Sequence, residues 1–383
     1  MSLLGFVAIV KNEASNIRTT LESVKPFVDS WTILDTCSTD DTQVIICETM
    51  GGPGSLYTEP FVDFATTRNR VLGLADRRFA PTFTLMLSGD EVLQGGDALR
   101  AYLQEHINDT DGAYCIQIQS GNRQWMYPRV LRTSADWRYV GVRHERPVGP
   151  KGEVRGPIIP GVTIIHRESD PARKIRRIRE EDLPLLTKQV EDESIPLDER
   201  ANSIFFLAET HALLANECKD EPGGPKLSHQ MAAMALYQRY AAIAHDPSRP
   251  AYDETKVHYA LFLYYHVAEQ VDGLFTHEEL EQRLGTLAQL APREPGIHLL
   301  WARHAACVDV RRGLFVAEKA AAVAKEAKAN PGYDATDERF EWLALSLAAG
   351  CAKQMQSEKI ARELAQRGLD AGGPKEAFSE FLT

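Results

Sequence analysis

The sequence predicts an α/β domain followed by an all-α domain, and three observations carry that expectation. Short apolar runs alternate with helix-periodic stretches from residue 4 to residue 94, the rhythm of strands and crossover helices in a parallel sheet. Acidic residues close two of those runs, Asp35 in one and Asp90 with Glu91 in the other. Beyond about residue 200 the strand signal disappears and long amphipathic stretches take over. The chain has 383 residues, more than one typical core accommodates. The expected division is an α/β domain over 1-198 and a helical-repeat domain over 199-383.

Leu4 to Val10 reads as the first strand, because its apolar run lacks a basic lead and passes straight into Lys11-Asn12-Glu13; it does not read as a signal peptide. Ser15 to Lys25 places Ile17, Leu21 and Val24 at helical spacing, and Pro26 stops that helix. A second strand, Trp31 to Leu34, ends at Asp35. Thr36-Cys37-Ser38-Thr39-Asp40-Asp41 then crowds capping side chains before Val44, Ile45 and Ile46, and Gly51-Gly52 closes the helix. Ser55 to Thr58 is a short third strand. Asp63 to Asn69 opens another helix with Val71, Leu72 and Ala75 facing inward. Within the stretch from Phe83 to Gln94, an apolar run of six to eight residues is expected to be a buried strand that ends on Asp90 and Glu91. Ligands of open α/β sheets sit outside such strand ends. Asp90 is therefore either a ligand for a hard divalent cation or part of an ordinary acidic turn.

Bulk composition narrows the classes. With 44% hydrophobic and 25% charged residues the chain reads as globular and cytoplasmic, and no apolar run approaches the roughly 20 residues of a membrane span. Six widely spaced cysteines without a Cys-x-x-Cys pair predict reduced thiols and no zinc site. The net charge of −11 is unevenly spread: Gly121 to Arg179 holds 14 Lys and Arg against 5 Asp and Glu. Such a segment suits a phosphate-bearing ligand or forms a solvated basic face.

Four motifs now stand in register: Val10-Lys11-Asn12-Glu13, Asp35 to Asp40, Asp63 to Asn69, and Leu87-Ser88-Gly89-Asp90-Glu91. Their order and spacing resemble those of family-2 glycosyltransferases of the GT-A fold. The resemblance continues through Tyr127 to Arg132, Trp137 to Glu145 and Ile164-Ile165-His166, covering roughly the first 200 residues. It implies a nucleotide-sugar donor, UDP-sugar favoured, an assisting Mn²⁺ or Mg²⁺, and inversion at the anomeric carbon. It also implies that Asn12, Glu13, Asp35, Arg68, Ser88 and Gly89 line the donor site and that Asp90 and His166 hold the metal. Glu145 takes the place of the general base. Glu91, Trp137, His144 and Arg167 stand where contacts to acceptor or phosphate are expected.

Each assignment has a plainer counterpart. Arg68 suits a phosphate as a planar cation but also suits a helix-surface salt bridge. Glu145 is a base unless it pairs with Arg143 or Arg146. His166 is a Mn²⁺ ligand or a histidine satisfied by the backbone. Arg167, Arg173, Lys174, Arg176, Arg177 and Arg179 close over a diphosphate or pair with Glu180, Glu181 and Asp182. Two departures from the family pattern bear on chemistry: Ser88 stands where a carboxylate is usual, and Cys37 stands where glycine is common, which strains the chain if φ is positive there.

In the second half, helices are expected at Ala201 to Glu217, Ser228 to Ala244, Thr255 to Val271, His277 to Leu290, Ile297 to Val310, Leu314 to Ala329, Glu338 to Cys351 and Ser357 to Leu369. Taken as consecutive pairs, they recur every 40 to 55 residues or so, resembling an irregular tetratricopeptide-like array. Tyr259 to His266 is core, an acceptor groove or a dimer contact. The acceptor is a glycan, a peptide or protein, or a modified nucleic-acid base, and a homodimer through the helices is compatible with this half. The rival reading is a degenerate transferase domain serving as a binding scaffold. A nucleotidyltransferase lacks support, because Lys11-Asn12-Glu13-Ala14 replaces a glycine-rich phosphate loop.

Overall fold

Strand β1 (Leu4–Val10) is buried on both faces, as is β2 (Ser30–Asp35). Continuous apolar sequence forms such strands because helices cover the sheet on either side. These elements come from a computed structural model that describes residues 2–141, 145–152, 155–167, 171–218, 224–248, 253–329 and 336–382. Helix α1 (Ile17–Val24) follows β1, α2 (Thr42–Thr49) follows β2, and α3 (Phe64–Phe79) follows β3 (Gly54–Thr58) and leads to β4 (Phe83–Met86). The remaining elements of this region are β5 (Glu91–Gln94), α4 (Gly96–Glu105), β6 (Ala113–Ser120), β7 (Arg123–Arg132), β8 (Arg138–Val140), β9 (Arg146–Val148) and β10 (Ile158–His166).

Eight strands lie in the order β3-β2-β1-β4-β7-β6-β10-β5. The first four are parallel; β7 enters antiparallel to β4, and β5 is antiparallel to β10. Strands β8 and β9 form a separate antiparallel pair. In the parallel part Val10 is level with Asp35, and Asp35 with Thr58. The segments after β1, β2 and β4 therefore emerge along one edge of the sheet. Phe6, Ile33, Leu85, Tyr114 and Ile116 build the main core beneath that edge.

The strand expected to end on Asp90 and Glu91 stops before them, and a further strand begins at Glu91. β4 ends at Met86, and the chain turns through Ser88-Gly89-Asp90, where Glu91 N donates to Ser88 O at 3.2 Å. It then departs as β5 to pair with β10. Apolar residues on both sides of the turn, Leu87 before it and Val92 and Leu93 after it, disguise it.

By packing, the chain divides into two units, one running to Arg176 and one from Arg177. Helices α5 (Pro171–Arg177) and α6 (Leu183–Glu191), with a π-turn at Ile178–Asp182 between them, precede the long helices. These are α7 (Leu197–Glu217), α8 (Pro225–Ala244), α9 (Glu254–Ala268), α10 (His277–Leu290), α11 (Pro295–Val308), α12 (Val310–Ala329), α13 (Phe340–Gln354) and α14 (Glu358–Asp370), with the short α15 (Ser379–Leu382) last. Leu186 and Val190 of α6 are buried with Ile204, Phe205 and Tyr237 of α7 and α8. Helix α9 lies along α8 more closely than along α10, which packs on α11. The stretch Tyr259 to His266 is half-buried apart from Ala260, which is fully buried. No helix among the described residues is long and apolar enough to cross a membrane. A mixed sheet with flanking helices followed by a helical region is the α/β-then-all-α arrangement the sequence predicts.

Candidate functional site

The loops after β1 and β2 are tied together by the polar side chains singled out in the sequence. Asn12 adopts φ 53; its N–H donates to Ser38 Oγ at 2.9 Å, and its Oδ1 accepts from Thr39 N at 2.8 Å. Glu13 N donates to Thr42 Oγ1 at 2.8 Å, and Asp40 accepts from Ala14 N and Thr42 N, both at 3.1 Å. Asp40 thus ties the loop after β1 to the start of α2, and although burial opposes it, these hydrogen bonds hold its carboxyl below the usual range. Asp35 is fully buried and accepts from Ser38 N at 2.9 Å, from Gln43 Nε2 at 2.7 Å and from the Ser38 hydroxyl. It organises the loop from within. Cys37 has φ 64, so a side chain occupies the left-handed conformation that glycine would adopt without strain.

The turn after β4 meets these loops through Gly89. A Cβ at Gly89 would lie 2.7 Å from Glu13 Cγ, so only glycine allows this approach, and its carbonyl accepts from the buried Thr20 hydroxyl at 2.8 Å. Ser88 is half-buried and its N–H donates to Glu91 Oε2 at 2.8 Å. Glu91 is buried and its other oxygen takes Arg129 Nη2 at 2.5 Å. Both its oxygens are committed within the protein. Through these contacts Glu91 holds the turn in place.

Asp90 and His166 do converge. His166 is level with Glu91 across the β5–β10 ladder, which brings its Nε2 to 3.3 Å from Asp90 Oδ2, with side-chain exposures of 40% and 20%. The hydrogen bond to Asp90 raises the His166 pKa above its ordinary value against the effect of burial. Arg167 N donates to Asp90 O at 3.0 Å. Among the described residues no three His, Cys, Asp or Glu side chains form a closed metal-binding group. Mg²⁺ and Mn²⁺ require none, since one or two protein donors suffice and water and phosphate complete the shell. A half-exposed carboxylate–imidazole pair fits such an ion, and the imidazole favours Mn²⁺.

Behind this pair lies a buried polar network. Arg68 sits in the first turns of α3, where Asp63 accepts from Thr66 N at 2.7 Å as the N-cap; such a cap is worth about 1 kcal/mol. Arg68 Nε donates to Glu145 Oε1 at 2.5 Å, with side-chain exposures of 8% and 10%. Burial works against the Arg68 cation, yet Glu145, Tyr139 and Glu91 outweigh it and raise its pKa. Arg68 thus makes a buried pair with Glu145 and not a helix-surface bridge, while Arg143, the other expected partner of Glu145 beside Arg146, lies outside the described residues. The Arg68 guanidinium lies 5.4 Å from the Tyr139 ring centroid and that of Arg129 5.4 Å from Tyr127. Tyr127 Oη donates to Glu145 O at 2.6 Å. The amide of Asn69 grips Tyr139 at both N and O, each at 2.8 Å. Arg68 Nη1, Arg129 Nε, Arg167 Nη1 and Tyr139 Oη are buried and find no hydrogen-bond partner among the described residues. Buried donors left unmet are the kind of group that an oxyanion satisfies where one binds.

One expected contact, Trp137, lies elsewhere. The Trp137 indole packs on Gly112, whose carbonyl accepts from Arg132 N, and Arg132 is level with Phe83; that places it at the beginning of β4, away from the Asp90 end. His144 lies outside the described residues, as do the side chains of Arg173 and Lys174. Arg177 turns to Asp182 at 3.9 Å. Arg129, Tyr127, Tyr139 and Asn69 were not singled out in the sequence. Arg129 had a signal: a charge within an apolar strand is buried only when it is paired.

No protein-family model matches the chain, and no curated protein matches it. Several solved structures are similar. S. aureus TarS is 13% identical with a TM-score of 0.37, the match covering 70% of this chain and 55% of that one. A structure of S. aureus TarS 1-349 is 14% identical at 0.31, covering 69% and 88%. Glucosyl-3-phosphoglycerate synthase from Mycobacterium tuberculosis, in complex with phosphoglyceric acid, is 16% identical at 0.24, covering 31% and 44%. The chain thus spans about half the length of the longer TarS structure. The functional reading rests on the site's own geometry.

Proposed function

We propose that this protein is an inverting, family-2-like glycosyltransferase that moves a sugar from a nucleotide-diphosphate donor, UDP-sugar favoured, to an acceptor hydroxyl. The observation that carries the reading is the set of buried guanidinium nitrogens of Arg68, Arg129 and Arg167, unpartnered among the described residues, beside the Asp90–His166 pair. Guanidinium nitrogens left without acceptors near a site suited to a divalent ion are the groups a polyphosphate would satisfy. The nucleoside is assigned to the loops of Asn12, Glu13 and Asp35, which share the same sheet edge, with Ser88 and Gly89 against the diphosphate. Asp90 and His166 would hold Mn²⁺ or, less well matched, Mg²⁺, which when bound supplies positive charge against the leaving diphosphate.

Glu145 is assigned as general base. It receives the proton of the acceptor hydroxyl as that oxygen bonds to the anomeric carbon and the anomeric carbon–phosphate oxygen bond breaks. The electron pair leaves with the diphosphate, whose charge the arginines meet. The acceptor is a glycan, a peptide or protein, or a modified nucleic-acid base. The helical unit is proposed as a tetratricopeptide-like array that binds the acceptor or a second copy of the chain, and the protein as cytoplasmic.

A thermal-shift panel of UDP- and GDP-sugars with and without Mn²⁺ tests this, followed by donor hydrolysis. Stabilisation by a donor and slow hydrolysis lost in Asp90→Ala would support transfer. The serine at 88 and the commitment of Glu145 to Arg68 favour a second reading, a binding scaffold, and absence of any shift across the panel would support that instead.

A further inference from the structure

Arg68 and Glu145 have opposite tasks in the transfer proposed above, yet they are bound to each other. Arg68 Nε donates to Glu145 Oε1 at 2.5 Å, and both side chains are nine-tenths buried. A carboxylate oxygen held by a guanidinium is poorly placed to take a proton from an incoming hydroxyl. The same guanidinium is incompletely used. Its Nη1 is buried with no acceptor among the described residues, and so is the hydroxyl of Tyr139, over whose ring it lies. An unmet buried donor is a standing penalty that a bound anion removes.

The neighbouring pair behaves differently. Glu91 engages Arg129 through one oxygen and Ser88 N through the other, so it is locked into the turn. The Glu145 carboxylate is held by its described contacts through Oε1 alone, while its backbone carbonyl accepts from Tyr127 Oη. Of the two carboxylates facing these arginines, Glu145 is the one that can give way.

We propose that Arg68 is a positioning residue that gates the base: it restrains Glu145 until the donor's diphosphate draws the guanidinium fork onto its own oxygens. Glu145 is then released to accept the acceptor's proton, and Arg68 faces the charge that develops on the leaving group. Donor binding thereby precedes base activation, which protects the donor from early hydrolysis. This rests on the glycosyl-transfer reading, and it makes a claim of its own, namely that Glu145 and a diphosphate compete for one arginine.

Competition is measurable without turnover. Calorimetric titration of the full chain with magnesium pyrophosphate offers the diphosphate without committing to a base. Glu145→Gln, which withdraws the competing charge, should bind more tightly than the parent, roughly 5- to 150-fold across the usual range of coupling between sites. Glu145→Asp keeps the charge but shortens the reach by one methylene, and should gain less. It also decides the matter if the glutamine variant does not fold. Arg68→Gln should weaken binding and abolish the difference between Glu and Gln at 145 in a double-mutant cycle. Parent-like affinity in both Glu145 variants would overturn the gate and leave the transferase reading standing. No pyrophosphate or UDP binding by any form, the parent included, would overturn both.

Discussion

Glu91→Ala is expected to cost the first unit more stability than any surface substitution in it. The side chains of Glu91 and Arg129 are 4% and 10% exposed and meet at 2.5 Å, and Arg129 Nε has no other partner among the described residues. Removing one member of a buried pair strands the other charge and costs about 3–5 kcal/mol. Loss of the acceptor for Ser88 N falls within the same figure. At about 2–4 °C per kcal/mol for a unit of this size, the melting temperature should fall by roughly 6–20 °C. Urea unfolding followed by circular dichroism gives the free energy directly. Replacing both partners by methionine removes both buried charges, so that variant should return to within about 1 kcal/mol of the parent or exceed it. A single-variant loss inside about 0.5 kcal/mol, the range of a surface change, would refute the reasoning. So would a double variant whose loss equals the sum of the two singles. Because Glu91 holds the turn that presents Asp90, the alanine variant should also lose metal-dependent nucleotide binding.

Asn69→Ala removes both hydrogen bonds to Tyr139 and should cost roughly 2 kcal/mol at about 1 each. Asn69→Asp, which keeps only the acceptor, should lose about half of that in the same urea assay. Cys37→Gly relieves a left-handed backbone worth about 1–2 kcal/mol against an unfolded-chain entropy cost of about 0.4–1; a net gain of roughly 0.5–1 kcal/mol is expected, and Cys37→Val should lose stability. In the helical unit, burial pushes the Glu269 carboxyl up, but His266, His304 and Arg303 outweigh it and hold it at about 2 against an ordinary 4.5. Its folded-state pKa is the lower one, so its contribution is fully present above about pH 4.5 and is lost as pH falls toward 2. At about 1.4 kcal/mol per pKa unit this is about 3 kcal/mol for a side chain only 8% exposed. Denaturant midpoints measured from pH 6 to 2 should fall less steeply in Glu269→Gln.

What was readable in the sequence was local. Strands β1 and β2 are buried on both faces and show as unbroken apolar runs. α3 announces itself through Asp63 as N-cap, and the long helices are punctuated by proline and glycine. The β6–β7 hairpin went unread, although Gly121-Asn122, which joins Ser120 to Arg123, is a two-residue turn signal. The turn at Ser88-Gly89-Asp90 was not legible, because periodicity does not register where a buried chain leaves one strand to join another. Long-range partners were equally hidden. Glu145 has arginines at 143 and 146 in the sequence but pairs with Arg68, 77 residues away. Asp90 and His166 were placed together only by the resemblance, and it is the β5–β10 register that brings them within reach. The closer association of α9 with α8 than with α10 likewise follows from packing faces that a helix count does not reveal.

The claim that the carboxyl end of β4 is where a cation meets a diphosphate is tested most directly by the Mn²⁺ dependence of UDP affinity, compared between the parent and Asp90→Asn. Mn²⁺ should tighten UDP binding to the parent and have little effect on the variant, while metal-free binding stays alike in the two. Equal tightening by Mn²⁺ in both, or a parent that binds no nucleotide with or without the ion, would contradict it.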